Sequence, residues 1–275
     1  MSWKNFLAAV ACTAGFLAAF LGGEGWQHYL NGIGISIVIS GTLAATFLSV
    51  PMPALRSACR VAWNTYRIEP IAPAQVVEAL IDISLRSRRD GFLSLERIEK
   101  KTDVSFLKSA LGMLVDGYEE REMRDVLTTE MYFFRRRRQE HERVFRHMAR
   151  LAPAFGVAGS VVGLIGMLMG LGDTAVILKT IPLALTSTLY GIVLCHLVLT
   201  PIAESIHCKT EQELLLQKLI VEGVVAIRQE RNSHRLERKL NSFLTPAARG
   251  GNQRTFEQIR RKYRRLQLEE EPAAP

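Results

Sequence analysis

The feature that most constrains this chain is a set of long apolar runs. Residues 33–50, 151–171 and 181–203 contain no Asp, Glu, Lys or Arg, and residues 3–21 contain only Lys4. Each run is close to the roughly 20 residues that a helix needs to cross the hydrocarbon core of a bilayer. Lipid offers the backbone no hydrogen-bond partners, so a spanning segment is either a helix or a strand of a closed barrel. The alternating polarity of barrel strands is absent. The expected fold is therefore an all-α membrane protein with four transmembrane helices, whose long helices extend into a cytoplasmic helical domain. Residues 3–21 admit a rival reading as a signal peptide. Lys4 is their only basic flank and the run is long for that role. Cleavage would leave the later topology unchanged.

Charge sets the orientation. Of 35 Lys and Arg, 19 lie in residues 51–150 and 14 follow residue 203, with only Lys4 and Lys179 elsewhere. Basic residues collect on the cytoplasmic side of a membrane protein. The short links at residues 22–32 and 172–180 carry little more than Glu24, Asp173 and Lys179, so they are expected to face outward. Trp26 and Tyr29 suit an aromatic belt at that interface. Both termini then lie in the cytoplasm, and the expected location is the bacterial inner membrane. The domains that follow are residues 1–50 with transmembrane helices 1 and 2, and a cytoplasmic helical domain at 51–150. Transmembrane helices 3 and 4 occupy 151–203, and a cytoplasmic C-terminal helix with a disordered tail occupies 204–275. The net charge of +8 and the four arginines at 135–138 raise the question of nucleic acid. Glu130, Glu140 and Glu142 are interleaved with that run, which reads as a solvated, partly paired helix face, and no nucleic-acid partner is expected.

The cytoplasmic block has helical periodicity. Val76, Val77, Leu80, Ile81, Ile83 and Leu85 form an apolar stripe that opens near Pro70 and Pro73 and closes near Gly91. Ser94 is placed to cap a new helix, with Glu96 at its positive end. Residues 116–150 lack Pro and hold only Gly117, which predicts a long helix running on into the third span. Residues 204–244 lack Pro likewise and predict a further helix leaving the fourth span. No Gly-rich phosphate loop, nucleophile elbow or ligand-spaced Cys/His cluster is present, and Cys12, Cys59, Cys195 and Cys208 read as ordinary thiols rather than a disulfide or metal site. The chain is not expected to be an enzyme, and no cofactor is expected.

Inside the apolar runs the chemistry is sparse. Gly156, Gly159, Gly163, Gly166 and Gly170 recur every three or four residues, forming a smooth strip on one helix face. Small residues let backbones approach closely in lipid. The strip is either ordinary packing within the chain or a groove for a partner helix, and the groove is the functional expectation. Thr186, Ser187, Thr188 and Tyr190 bring hydroxyls to the fourth span. Ser160 and Thr188 would lie at comparable height if the third and fourth spans are antiparallel neighbours, offering oxygens to an ion. No carboxylate sits inside any span: Glu24, Asp173 and Glu204 are all at edges. Ion translocation normally needs such a group, so a partner would have to bring it. His196 is the one titratable side chain well inside a span, a candidate relay or a packed residue.

These residues resemble a known family. Leu151-Ala152-Pro153-Ala154-Phe155-Gly156 with the Gly159/Gly163 strip is similar to the third span of MotA, the flagellar stator subunit of the MotA/TolQ/ExbB superfamily. Thr186-Ser187-Thr188-Leu189-Tyr190-Gly191 followed by Pro201-Ile202-Ala203 is similar to its fourth. Arg88, Gly91 and Ser94-Leu95-Glu96-Arg97 are similar to its rotor-facing cytoplasmic motif. The resemblance covers roughly residues 1–240. It implies a homopentamer around a MotB-like single-span, peptidoglycan-binding protein that carries the ion-binding Asp. It assigns Ser160 and Thr188 to the ion path and Pro153 and Pro201 to coupling. Arg88 and Glu96 would engage the FliG-like rotor switch protein. The transported ion is expected to be H+ rather than Na+. A superfamily motor for gliding, transport or defence is the nearest alternative, and a passive membrane scaffold is the alternative of a different class.

Overall fold

The computed structural model describes residues 8, 11–16, 18–19, 29–67, 71–101, 104–229 and 233–244. Among them every regular element is helical. In chain order these are α1 (Gly32–Ser49), α2 (Met52–Arg67), α3 (Pro73–Asp90), a 3-10 turn (Phe92–Leu95), α4 (Glu96–Lys101) and α5 (Ser105–Val115). There follow α6 (Glu120–Met169), α7 (Thr174–Val193), a π-helical turn (Leu194–Leu199), α8 (Thr200–Gln229) and α9 (Ser233–Asn241). Among the described residues three stretches are long and apolar enough to cross a membrane: Gly32–Ser49, Glu120–Met169 and Thr174–Gln229. The expected first span, residues 3–21, lies mostly outside the described residues. Trp26 and the C-terminal tail lie wholly outside them.

Capping chemistry fixes where the apolar helices begin. The Asn31 side-chain oxygen accepts from the Ile33 and Gly34 amides at 3.1 Å each, starting α1. Asp173 accepts from the Ala175 amide at 2.9 Å and starts α7 at Thr174. The link expected over residues 172–180 is therefore mostly helix. A local carboxylate cap outweighs the single charge of Lys179 in deciding where helix begins.

The chain divides into two compact units, residues 1–69 with 136–209, and residues 70–135 with 210–275. The first unit holds α1, α2, the apolar part of α6, α7, the π turn and the start of α8. Ala58, Ala62, Ala149, Ala152 and Ala203 are prominent in one of its buried clusters, beside Phe145, Leu199 and Ile206. Small side chains there let helix backbones come close. Larger ones such as Leu164, Ile165, Leu168, Leu178 and Leu185 stand exposed, the arrangement expected of helices solvated by lipid rather than water.

The second unit buries large side chains in the manner of a water-soluble domain. Leu80, Leu111, Leu114, Met123, Leu127, Leu219, Leu236 and Leu240 are essentially inaccessible to solvent. Pro73 opens α3 at a position where its missing N–H costs nothing. The helix expected over residues 204–244 is two helices here. A Cβ at Gly223 would lie 3.3 Å from Leu240, whereas 17 residues of one straight helix would separate the two by about 25 Å. The chain therefore turns back between α8 and α9, so that Leu236 and Leu240 enter the same core. Ser94 also differs from expectation. It lies within the 3-10 turn, and its hydroxyl donates to the Gly91 carbonyl at 2.6 Å instead of accepting from the following helix. Glu96 does occupy the first turn of α4.

A charged clasp joins α6, α8 and α9. Glu222 accepts from Arg124 at 2.6 Å and pairs with Lys239 at 2.8 Å. The Arg124 hydrogen bond, chiefly, overcomes the cost of partial burial and lowers the Glu222 carboxyl to about 2, and Lys239 adds to the effect. Its contribution is complete above the ordinary value of 4.5 and disappears as pH falls toward about 2. Glu222→Gln is expected to destabilise the protein by about 1–3 kcal/mol at neutral pH, since it leaves Lys239 facing a neutral amide and Arg124 with only its 3.8 Å contact to Glu120. Thermal unfolding followed by circular dichroism in detergent checks this, and the gap between variant and parent should close across that acid window.

Candidate functional site: the crossing of α6 and α7

The glycine strip of α6 faces α7 of the same chain. A Cβ at Gly156 would lie 3.0 Å from the Ser187 carbonyl oxygen and 3.2 Å from the Cα atoms of Thr188 and Gly191. At Gly163 it would lie 2.7 Å from the Ala184 backbone nitrogen, and at Gly159 it would lie 2.8 Å from the Ser187 Cβ. Gly191 answers from the other helix, its own added Cβ lying 2.7 Å from the Ala152 carbonyl and 3.1 Å from Pro153 Cα. Gly156, Gly159 and Gly163 are buried by this contact and Gly166 lies at its edge, 3.3 Å from the Thr180 methyl. The strip of Gly156, Gly159, Gly163 and Gly166, expected to form a groove for a partner's helix, packs here on α7 of the same chain, and at its centre backbone meets backbone.

The close approach brings the two expected hydroxyls together. Ser160 Oγ and Thr188 Oγ1 lie 2.5 Å apart. Ser160 Oγ also reaches the Gly156 carbonyl at 3.2 Å and the Ala184 carbonyl. Four oxygens therefore converge with only two hydroxyl protons among them. Such a node always keeps lone pairs to spare, so it suits a cation or a water that donates. The neighbouring hydroxyls do something plainer. Thr186 and Ser187 each donate to the carbonyl one turn back, Pro182 and Leu183, at 2.7 Å.

Both prolines assigned to coupling occupy helix. Pro153 is internal to α6, where it removes one backbone donor, and it lies against Gly191. Pro201 sits in the first turn of α8, directly after the π turn. The Thr200 amide there donates to the Cys195 carbonyl, five residues back. A proline ring crowds the carbonyl four residues before it, and a π turn widens the backbone at that place. His196 is part of this turn and is exposed. No periodicity in the residues signals the π turn.

Comparison with known proteins supplies the remaining finding. A family model described as the MotA/TolQ/ExbB proton channel family matches residues 98–218. Uncharacterized protein YtxD of Bacillus subtilis is 32% identical over 222 residues, covering 81% of this chain and 82% of that protein. The chain belongs to the MotA/TolQ/ExbB proton channel family. Motility protein A of Borreliella burgdorferi is 29% identical over 215 residues, covering 78% of this chain and 83% of that one. The flagellar MotAB stator complex from Bacillus subtilis contains a chain that superposes with a TM-score of 0.80 at 26% identity, covering 90% of this chain and 97% of that one.

Within this member of the family, Arg88 and Glu96 lie in the second unit. Arg88 is exposed in the last turn of α3 and Glu96 is exposed at the start of α4. Gly91 separates them with φ +75°, a left-handed backbone that favours glycine, so the reversal between the two charges is built into that position. Two contributions were not read from the sequence. Tyr190 accepts from the Asn31 amide at 2.8 Å and donates to the Tyr29 carbonyl, pinning the start of α1 to α7. Gly41 makes room for the Phe155 ring, so α1 also packs on α6. No periodicity signals either pairing, because each joins residues more than a hundred positions apart.

The crossing makes a graded demand on its glycines. Gly163→Val and Gly191→Val would push a branched side chain into backbone, and each is expected to lower Tm by roughly 5–10 °C. Gly166→Ala meets only a methyl group and is expected to stay within about 2 °C of the parent. Thermal melts of the three purified variants check the order.

Proposed function

We propose that this chain is the ion-channel stator subunit of a bacterial flagellar motor, converting ion-motive force into rotation. The observation that carries the reading is the oxygen node of Ser160 and Thr188, held between two spans that contain no carboxylate. The names of the relatives, Motility protein A and the MotAB stator complex, support it.

The division of labour follows from that chemistry. This chain offers hydroxyl and carbonyl oxygens along the path, and a MotB-like single-span partner brings the Asp that binds and releases the ion. The cargo is H+ rather than Na+. Several copies, five in the arrangement that the family resemblance implies, enclose the partner. The protein resides in the bacterial inner membrane with both termini in the cytoplasm. Pro153 and Pro201 are the coupling positions. Each removes a backbone donor where an apolar helix passes toward its polar continuation, so little resistance opposes bending there. Arg88 and Glu96 engage the rotor switch protein with opposite charges across the Gly91 turn. Exposed charges of this kind steer a moving partner and release it readily.

Two variants test the reading together. Thr188→Val keeps the size of the side chain and removes the hydroxyl, and it is expected to slow swimming at least severalfold with the amount of protein in the membrane unchanged. Arg88→Glu is expected to impair swimming while ion flux through the assembled complex persists. Normal motility in both would overturn the assignment, and tracking of swimming cells with membrane immunoblots provides the readout.

A further inference from the structure

Helix α2 begins three residues after α1 ends, beyond a break at Val50 and Pro51. Its sequence, Met52 to Arg67, contains three arginines and no acidic residue. Its buried face is Ala58, Ala62 and Thr65, which pack within the first unit. The opposite face holds Met52, Arg56, Arg60, Trp63 and Arg67. At 3.6 residues per turn these five fall within an arc of about 80°. All five are exposed, Trp63 at 66%, and the Arg67 guanidinium lies over the Trp63 ring at 5.6 Å.

The arginines of this stripe differ from those of the arginine run on α6. Arg135 pairs with Glu211 and Arg136 with Glu140, and nearby Arg146 bridges Glu142 and Glu204. Among the described residues neither Arg56 nor Arg60 is paired with a carboxylate. Two neighbouring cations one turn apart, without an internal acid, form a site for an external anion. Their position selects which anion. Side chains on a helix lean toward its N-terminus, and the N-terminus of α2 is the end joined to the membrane-crossing helix α1. Arg56 is four residues past Met52, the first residue of α2, about 6 Å along the helix, and a guanidinium on a long flexible stem covers much of that distance. Met52 is exposed at the head of the same stripe, at the end of α2 nearest the apolar helix α1.

We propose that Arg56 and Arg60 bind the phosphate groups of anionic phospholipids at the membrane surface, anchoring α2 to the leaflet that receives the aqueous end of α1. The inference stands on charge complementarity and on continuity with a membrane span, and it does not depend on ion conduction or torque. Polybasic segments next to a span are attracted to anionic lipid, and an arginine fork suits a phosphate well.

The test uses the full chain, co-purified with whatever assembles with it from the membrane. The complex is reconstituted in nanodiscs of phosphatidylcholine and phosphatidylglycerol, and native mass spectrometry counts the lipids retained. The parent is expected to retain phosphatidylglycerol preferentially. The double variant Arg56→Gln with Arg60→Gln is expected to lose that preference by roughly thirtyfold, as befits two cations near an anionic surface. Arg135→Gln with Arg136→Gln serves as the charge-matched control and is expected to keep it. The proposal is overturned if the parent shows no preference, if the α2 variant keeps it, or if the control loses it equally. It is also overturned if a photo-crosslinking residue in place of Cys59 captures a second copy of the chain instead of lipid. Because the readout is lipid retention, a motility defect or its absence does not bear on it.

Discussion

The contact on which the first unit depends is the meeting of two helix backbones at Gly156 and Gly191. In water, burial of apolar surface pulls helices together. In lipid that drive is largely absent, and close packing with interhelical polar contacts takes its place. Glycine on both sides lets α6 and α7 approach until carbonyls and Cα atoms touch. That closeness is what allows Ser160 to reach Thr188 and the Ala184 carbonyl across the gap. Side chains of ordinary size at the crossing would hold the helices apart, and each hydroxyl would have only its own helix to bond. The oxygen node is thus a consequence of small residues one turn away from it.

The two units solve opposite solvation problems with the same secondary structure. The first keeps alanine and glycine inside and turns leucine and isoleucine outward, as a protein surrounded by hydrocarbon requires. The second keeps its leucines inside and spends its charges on its surface, in clasps such as Arg124, Glu222 and Lys239. The hydroxyl node, set between apolar helices, lies in the first. Chemistry suited to a charged protein partner, Arg88 and Glu96 either side of Gly91, lies in the second.

Much of this was legible in the residues. Uncharged runs marked the three described apolar helices, since a charge inside a span is costly and its absence over twenty residues is conspicuous. Spacings of three and four marked the glycine strip, and antiparallel neighbours placed Ser160 beside Thr188. What the strip faces was not legible. Periodicity tells which residues share a face and is silent about which helix covers it, which here is α7. The start of α7 was misplaced because a carboxylate cap at Asp173 outranked the charge of Lys179. Serine as a residue type favours a cap, but the tight turn after Gly91 directs the Ser94 hydroxyl backward. The return of α9 onto α8 depends on long-range packing and the π turn before Pro201 on local hydrogen bonding, which composition does not record.

The central claim is that this chain lines the ion path while the titrating acid arrives on another protein. Proteoliposomes test it most directly, with ion flux measured under an imposed pH gradient for the purified chain alone and for the chain co-purified with its single-span partner. The account requires silence from the chain alone and flux from the pair, with the flux lost when the partner's membrane carboxylate is neutralised. Selective flux through the chain by itself would contradict it.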